Sequence, residues 1–345
     1  MNIAITCSIK PQNISAGEEE KYAEHDSPEA IMDLADAIKA NNHNVSIIDV
    51  KNIDTTEQYL QSRRDRIDLI FNVAEGMEGI NREALVPDIC ERLHIPYTAA
   101  SPRTCINTLD KARTKQILQN YGIPTPRSQI FTTTIEHVLD VTNQKINLVR
   151  YPIIVKPTLE GSSIGIYNDS LVDNEQDLIR VVNRVLTQHN QPAIAEEFMP
   201  GREFTVGLIG YKNPFVLPIV EITFDHLPKG IHHFESKEVK WKYDNPAGGH
   251  DPLVCPAKIS ENLRIHIGTL ARQTYLAFDC RDWARMDFRL DANDIPNVLD
   301  INALPGFVKD PLHNSRLPRA AYAAGWTYEK LIGEVINSAR NRYNI

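Results

Sequence analysis

No CxxC pair occurs in the 345-residue chain, and its five cysteines (Cys7, Cys90, Cys105, Cys255 and Cys280) are scattered and odd in number. Nothing in that pattern argues for a disulfide framework, a metal cluster or a catalytic thiol. It suits a reducing cytosol, with the thiols packed as small hydrophobes. No apolar run approaches the roughly 18 residues of a membrane span. The opening "MNIAITCSIKPQ" is too short and too polar for a secretory signal and reads as a first strand. Positive charge is not in excess: the formal net charge is -8, so a nucleic-acid backbone is not an expected partner. Internal repeats and low-complexity tracts are absent as well. What remains is an ordinary globular mix, 42% hydrophobic and 24% charged, long enough for two or three packed units. The expected location is cytoplasmic.

Strand–helix–strand alternation runs through the first hundred residues. "NIAITCSI", "VSIIDV" and "IDLIFNVAEG" read as strands. "DSPEAIMDLADAIKANNHNV" reads as a helix capped by Ser27, with Pro28 and Glu29 suited to its first turn. Residues 12–25 are polar and predict a loop, and "REALVPDICERLHI" predicts a helical segment. This alternation implies a parallel sheet in a unit spanning about residues 1–103. A central unit, 104–200, starts with a helix at "TLDKARTKQILQNYGIPTPRSQIF", forms a hairpin across "RYPIIVKPTLEGSSIGIYND", and continues with a helix at "EQDLIRVVNRVLTQHN" and a strand at "PAIAEEFM". A third unit, 201–345, is mostly antiparallel, with strands at "GREFTVGLIG", "PFVLPIVEI", "ARMDFRL" and "PNVLDINAL" and a closing helix at "YEKLIGEVINSARNRY". The segment 224–255 is too long and polar for a simple connection and is a candidate functional loop. The fold class is therefore α/β, turning to α+β in the C-terminal part.

Two stretches carry chemistry. Lys156 sits in the apolar run "PIIVKP", where a charge is costly unless an anion meets it. "EGSSIG" follows at once, and a small Gly-Ser loop beside a semi-buried ammonium is what a phosphate group needs. Near the other end, "ARMDFRL" alternates so that Arg285, Asp287 and Arg289 share one face. "NVLDIN" places Asp300 and Asn302 on one face too. If these strands pair, Asp287, Asp300 and Asn302 converge as hard oxygen ligands suited to Mg²⁺.

Five blocks, in order, make the chain resemble the ATP-grasp ligases, most closely the D-alanine–D-alanine ligase family. They are "LDKARTK", "PIIVKPTLEGSSIGI", "AIAEEFMPGREFTVG", "ARMDFRLD" and "VLDINALPG". The resemblance implies an ATP-grasp fold, with a parallel-sheet domain followed by two ATP-grasp subdomains and ATP between them. It further implies Mg²⁺, with Mn²⁺ as a substitute. Lys111 and Lys156 match the phosphate-binding lysines, and Ser162 and Ser163 fall in the loop over the phosphates. Glu196, Glu197 and Met199 match the strand that holds the adenine edge, and Glu203 the acid on the ribose hydroxyls. Asp287, Asp300 and Asn302 match the Mg²⁺ ligands. Arg285 matches the arginine that steadies the reacting carboxylate, with Ser162 and Lys237 also expected in catalysis. The implied activity joins a carboxylate to an amine through an acyl phosphate, converting ATP to ADP and phosphate. A homodimer is suggested by resemblance alone.

Departures gather at the amino-acid pocket. The family's acidic segment after the first strand corresponds to "EHDSPEA", where Glu24, Asp26 or Glu29 can substitute. Glu75 stands where the family has a histidine. "ESKE" retains Lys237 but puts Glu238 in place of a tyrosine, with Lys242–Tyr243 just beyond as another register. After Gly306, Ser315 and Arg316 are placed to meet the second substrate's carboxylate. The segment 231–250 is expected to be unpacked in isolation and to close over the site. Two alternatives stay open: a dipeptide or natural-product ligase of the same fold with other amino acids, and an ATP-binding protein without turnover.

Overall fold

The computed structural model describes residues 1–11, 14, 21–76, 79–135, 150–244, 250–313 and 315–345. Most of the 12–25 segment and residues 245–249 of the long loop lie outside the described residues. The first sheet is parallel, as the alternation predicts. Strands β1 (Asn2–Cys7), β2 (Asn44–Asp49) and β3 (Leu69–Val73) lie in the order β2-β1-β3. Helix α1 (Pro28–Ala40) starts where Ser27 accepts a hydrogen bond from the Ala30 amide, and Pro28 fills a position that needs no donor. Helices α2 (Ile53–Arg63) and α3 (Leu85–Leu93) complete this part.

Helices α4 (Pro102–Leu109) and α5 (Lys111–Asn120) abut at Asp110, whose carboxylate caps α5 by accepting from the Ala112 and Arg113 amides. A second, antiparallel sheet follows. Its strands β4 (Ser128–Phe131), β5 (Ile153–Pro157), β6 (Leu171–Val172) and β7 (Ala193–Glu197) run in the order β4-β7-β5-β6. Helix α6 (Glu175–Gln188) packs against it through Leu178, Val181, Val182 and Val185.

The third sheet is antiparallel and comprises β8 (Glu203–Ile209), β9 (Phe215–Val216), β10 (Val220–Ile222), β11 (Leu253–Val254), β12 (Trp283–Leu290) and β13 (Pro296–Asn302). Their order is β11-β10-β8-β12-β13, with β9 beside β8. Helix α7 (Glu261–Ala277) backs it, with Ile267, Leu270, Ala271 and Tyr275 in one cluster with Phe204, Met286 and Phe288. The chain closes with α8 (Arg316–Ala323) and α9 (Tyr328–Tyr343).

The core crosses the sequence-based boundaries. Leu331, Ile332, Val335 and Ile336 of α9 share a cluster with Ile3, Ile5, Ile31, Leu34 and Ile38 of the first unit. A polar clamp reinforces it: fully buried Asp282 accepts from Ser338 Oγ at 2.8 Å, Arg342 Nη2 at 2.7 Å and the Ala99 amide at 3.0 Å. A buried carboxylate is tolerable only with its hydrogen bonds filled, as here.

Candidate active site

The β12–β13 pairing sets the geometry. Arg285 lies opposite Asn302 and Asp287 opposite Asp300, with a register irregularity just after Asp287. The three oxygen-bearing side chains therefore converge as the alternation requires. Arg285 grips Asp287 with two hydrogen bonds of 2.9 Å, and Asn302 Nδ2 donates to Asp287 Oδ2 at 3.0 Å. Thr205 Oγ1 donates to the other oxygen. Burial alone would raise the Asp287 pKa, but the Arg285 guanidinium outweighs it and takes it down to about 2. Asp300 stands 3.3 Å from Lys111 Nζ, which also donates to the Glu160 carbonyl at 2.6 Å.

Beneath this lies a clamp that the sequence disclosed only in part. Glu196 on β7 is 1% exposed and reaches Lys156 Nζ at 2.7 Å and Lys115 Nζ at 3.2 Å. Desolvation pulls Lys115 below its ordinary value. Lys156 is equally desolvated yet ends up raised, because the Glu196 and Asp300 carboxylates act on it. The shorter contact agrees: the Glu196 charge is spent mainly on Lys156. Two buried ammoniums against one carboxylate leave this floor net positive. Glu203 on β8 accepts from Arg289 at 2.9 Å, and burial pushes its carboxyl up to about 7 against the pull of that arginine. Met199 is buried, and Glu197 accepts from the Arg150 amide at 3.0 Å.

The loop 160–165 holds Ser162 and Ser163 at φ 49° and 61°, left-handed values that cost a non-glycine residue free energy and recur at functional loops. Ser163 Oγ donates to the Glu235 carbonyl at 2.9 Å. The Lys237 amide donates to the Ile166 carbonyl at 2.7 Å, and Glu238 accepts from the Asn168 amide at 3.0 Å. Phe234, Ser236 and Val239 are buried, so 231–244 is packed against the 160–165 loop rather than loose, contrary to what its composition suggests. Its polar residues bond to neighbouring backbone, and composition does not reveal that.

A cavity of about 550 Å³ joins these parts to the first unit. Lys111, Ser162, Arg285, Asp300 and Asn302 line it, and so do Glu24, Glu75, Gly306, Ser315 and Arg316. Lys237, Glu238 and Tyr243 are not among its lining residues; Lys240, Trp241 and Asp244 are. Glu24 pairs with Arg82 at 2.6 Å, and Arg316 pairs with Glu235. Burial lifts the carboxyls of Asp26 and Glu83 to about 7 and that of Glu75 well above its ordinary value.

The family model described as D-ala D-ala ligase C-terminus matches residues 117–337. A D-alanine--D-alanine ligase of Pelotomaculum thermopropionicum is 30% identical over 312 residues, covering 90% of this chain and 90% of that one. The chain belongs to the D-alanine–D-alanine ligase family. It is an ADP-forming ATP-grasp ligase. An uncharacterised protein of Sinorhizobium fredii is 34% identical over 80% of this chain and 75% of its own length. A crystal structure of the Bacillus anthracis D-alanine--D-alanine ligase complexed with ATP superposes with a TM-score of 0.71, at 21% identity over 100% of this chain and 99% of that chain.

The residues fit the family's ATP and Mg²⁺. Among the described residues no group of three His, Cys, Asp or Glu side chains forms a metal site. Asp287, Asp300 and the amide oxygen of Asn302 are hard donors that would hold Mg²⁺ while leaving positions for phosphate oxygens and water. Bound there, Mg²⁺ would neutralise phosphate charge, while Lys111 and Lys156 would hold the phosphates. Three relevant residues escaped sequence reasoning. Lys115 belongs to "LDKARTK", and a second lysine four residues on was its signal; Arg82 and Lys240 gave none, because each is defined by neighbours far away in the chain. Among the described residues no helix is long and apolar enough to cross a membrane.

The acidic wall has a measurable consequence. Carboxyls held up to about 7 are largely protonated in the free protein at pH 6, and an incoming ammonium favours their ionised form. Binding of the amino acid whose ammonium meets this wall should release protons near pH 6 and cease to do so above about pH 8. Calorimetry in buffers of different ionisation enthalpy reads this directly. Proton uptake, or no linkage in this range, would contradict it.

Proposed function

We propose that this chain links the carboxylate of one amino acid to the amine of a second, with ATP converted to ADP and phosphate, D-alanine being the first substrate to test. One observation carries the reading. Lys111 and Ser162, matched to phosphate, and Asp300 and Asn302, matched to metal, line a single cavity with Glu24, Glu75, Gly306, Ser315 and Arg316, matched to the amino acids, while Lys156, Ser163 and Asp287 do not line it. The first amino acid lies with its ammonium toward Glu24 and Glu75 and its carboxylate toward Arg285 and Gly306. Arg285 holds the reacting carboxylate and neutralises the oxyanion that forms when the amine attacks. Ser315 flanks α8 without spending its hydroxyl on a cap, and the start of that helix favours an anion, which suits the second amino acid's carboxylate. Packing of 231–244 on the 160–165 loop excludes water from the acyl phosphate. A homodimer in the cytoplasm is part of the same reading.

The acidic wall also favours a second reading, a ligase of this family for other amino acids, because Glu75 and Glu83 add carboxyl groups beyond the one that an ammonium needs. Screening ADP release against D- and L-amino acids, with mass spectrometry of the product, separates the two. The expected products are ADP, phosphate and amide in equal amounts. Stoichiometric AMP would sink the acyl-phosphate route, and D-alanine failing while another amino acid ligates would select the second reading.

A further inference from the structure

Arg289 is the cation of the β12 face that the ligation chemistry leaves without a role. It shares that face with Arg285 and Asp287, and its strand position lies directly opposite Glu203 on β8. Met286, Phe288 and Leu290, on the other face, are buried in the core against α7. Arg289 is itself only 4% exposed, and a guanidinium so buried needs its donors filled. Three acceptors fill them, each from a different part of the chain. Nε donates to the Gly201 carbonyl at 3.1 Å, in the connection between β7 and β8. Nη1 donates to Glu203 Oε2 at 2.9 Å. Nη2 donates to the His233 carbonyl, in the segment 231–244.

Aromatic rings fix the guanidinium further. Its Cζ stands 4.5 Å from the centre of the Phe198 ring and 5.7 Å from that of Phe224. Phe198 meets Phe234 edge-on at 6.1 Å, and Phe224 stacks with His233 at the same spacing. Both rings beside Arg289 therefore also touch 231–244. On the nucleotide side, Phe198 lies between Glu197 and Met199, which are matched to the adenine edge. Glu203, matched to the ribose hydroxyls, has Oε2 fixed by Arg289, while Oε1 has no hydrogen-bond partner among the described residues. A planar fork can hold one carboxylate and two carbonyls at once, which a point charge cannot do. The acid for the ribose and the backbone of 231–244 thus hang on one rigid group.

We propose that Arg289 is a positioning residue that couples the ribose of the nucleotide to the closed state of 231–244: it aims Glu203 and, through the same guanidinium, holds the His233 carbonyl. This rests on the ligase reading above, with Glu203 on the ribose. Ribose hydroxyls that bond to Oε1 complete the partners of Glu203 and steady it, and with it Arg289 and His233. A nucleotide lacking those hydroxyls binds through its phosphates and base and leaves the link slack. The loosened segment then admits water to the acyl phosphate. Water attacking that intermediate returns the free carboxylate and phosphate, so ADP accumulates beyond the amide.

The test uses the full-length protein with Mg²⁺ and either ATP or 2′,3′-dideoxy-ATP at saturation, without amino acids. Hydrogen exchange of the 231–238 amides is the first readout. In the wild type, ATP should slow it roughly 10-fold more than the dideoxy nucleotide does, the worth of about one hydrogen bond to a charged group. Arg289→Lys keeps a charge beside Glu203 but not the fork. It should still bind ATP and should lose the difference in protection between the two nucleotides. Arg289→Met should weaken ATP binding by roughly 10- to 100-fold and bind both nucleotides alike. With amino acids added, both variants should release more ADP than amide, and the wild type equal amounts. Equal protection by the two nucleotides in the wild type overturns the proposal. So does an Arg289→Lys protein that keeps the wild-type difference or couples ADP to amide one to one. If Arg289→Met does not fold, the wild-type comparison and Arg289→Lys decide alone. A wild type that forms no amide from any pair of amino acids removes the ligase reading, and the exchange measurement still decides the role of Arg289. A protein that binds neither nucleotide overturns both.

Discussion

Replacing Asp300 with asparagine should lower turnover on the order of a thousandfold or more. Removal of a metal-supporting partner alone typically costs roughly 10–100-fold, and a direct ligand costs more. The fold should survive, because Asp300 is partly exposed and, among the described residues, its one ion pair is with Lys111 at 3.3 Å. Asp287→Asn should be at least as damaging to activity and less innocent structurally. It removes the carboxylate that Arg285, Thr205 and Asn302 all grip, so Arg285 loses its orientation toward the substrate as well. Turnover measured across a Mg²⁺ titration, with circular dichroism of each variant, checks both. Near-normal turnover of either folded variant would remove that residue from the metal site.

Glu196→Gln is the second change with a large expected effect, and it acts first on stability. The glutamate is the common partner of two buried ammoniums. Breaking a buried pair by deleting one partner typically costs about 3–5 kcal/mol, because the other charge is left uncompensated. Here two are left. The variant should unfold at markedly lower denaturant concentration, and whatever folds should bind ATP weakly, since Lys156 is no longer aimed. Lys115→Met serves as the control. It leaves Glu196 and Lys156 as a neutral pair at 2.7 Å and should cost far less stability. Equal stability of Glu196→Gln and wild type would mean that the clamp contributes nothing.

The hairpin that carries Asp287, Asp300 and Asn302 was legible because two constraints coincide there: strict alternation in "ARMDFRL" and a turn-forming "DANDIP" before the returning "NVLDIN". Lys156 and its loop were legible because a charge in an apolar strand needs a reason. Helix α2 was not read, its Thr-Thr-Glu-Gln start giving little apolar periodicity, and only Thr56 and Leu60 are buried. Helix α7 was also missed, although Ser260 followed by Glu261 is a recognisable start; the long polar segment before it drew attention away. At the site, Lys240 and Arg82 were invisible for a deeper reason. Arg82 matters because Glu24 lies 58 positions earlier in the chain, and Lys240 because it lines one cavity with Arg285 and Arg316. Pattern reading sees periodicity within an element, whereas these roles arise between elements.

The insertion of α9 into the core of the first unit bears on the order in which the molecule is made. Ile3, Ile5, Ile31 and Leu34 are synthesised long before Leu331, Ile332, Val335 and Ile336, which cover them. The first sheet therefore cannot complete its burial, and stays partly exposed, until α9 has been made. Glu24 and Glu75 line one cavity with Arg285 and Arg316, so a nascent fragment lacking α9 has only part of that wall fixed in place, and the cavity takes its shape when α9 docks.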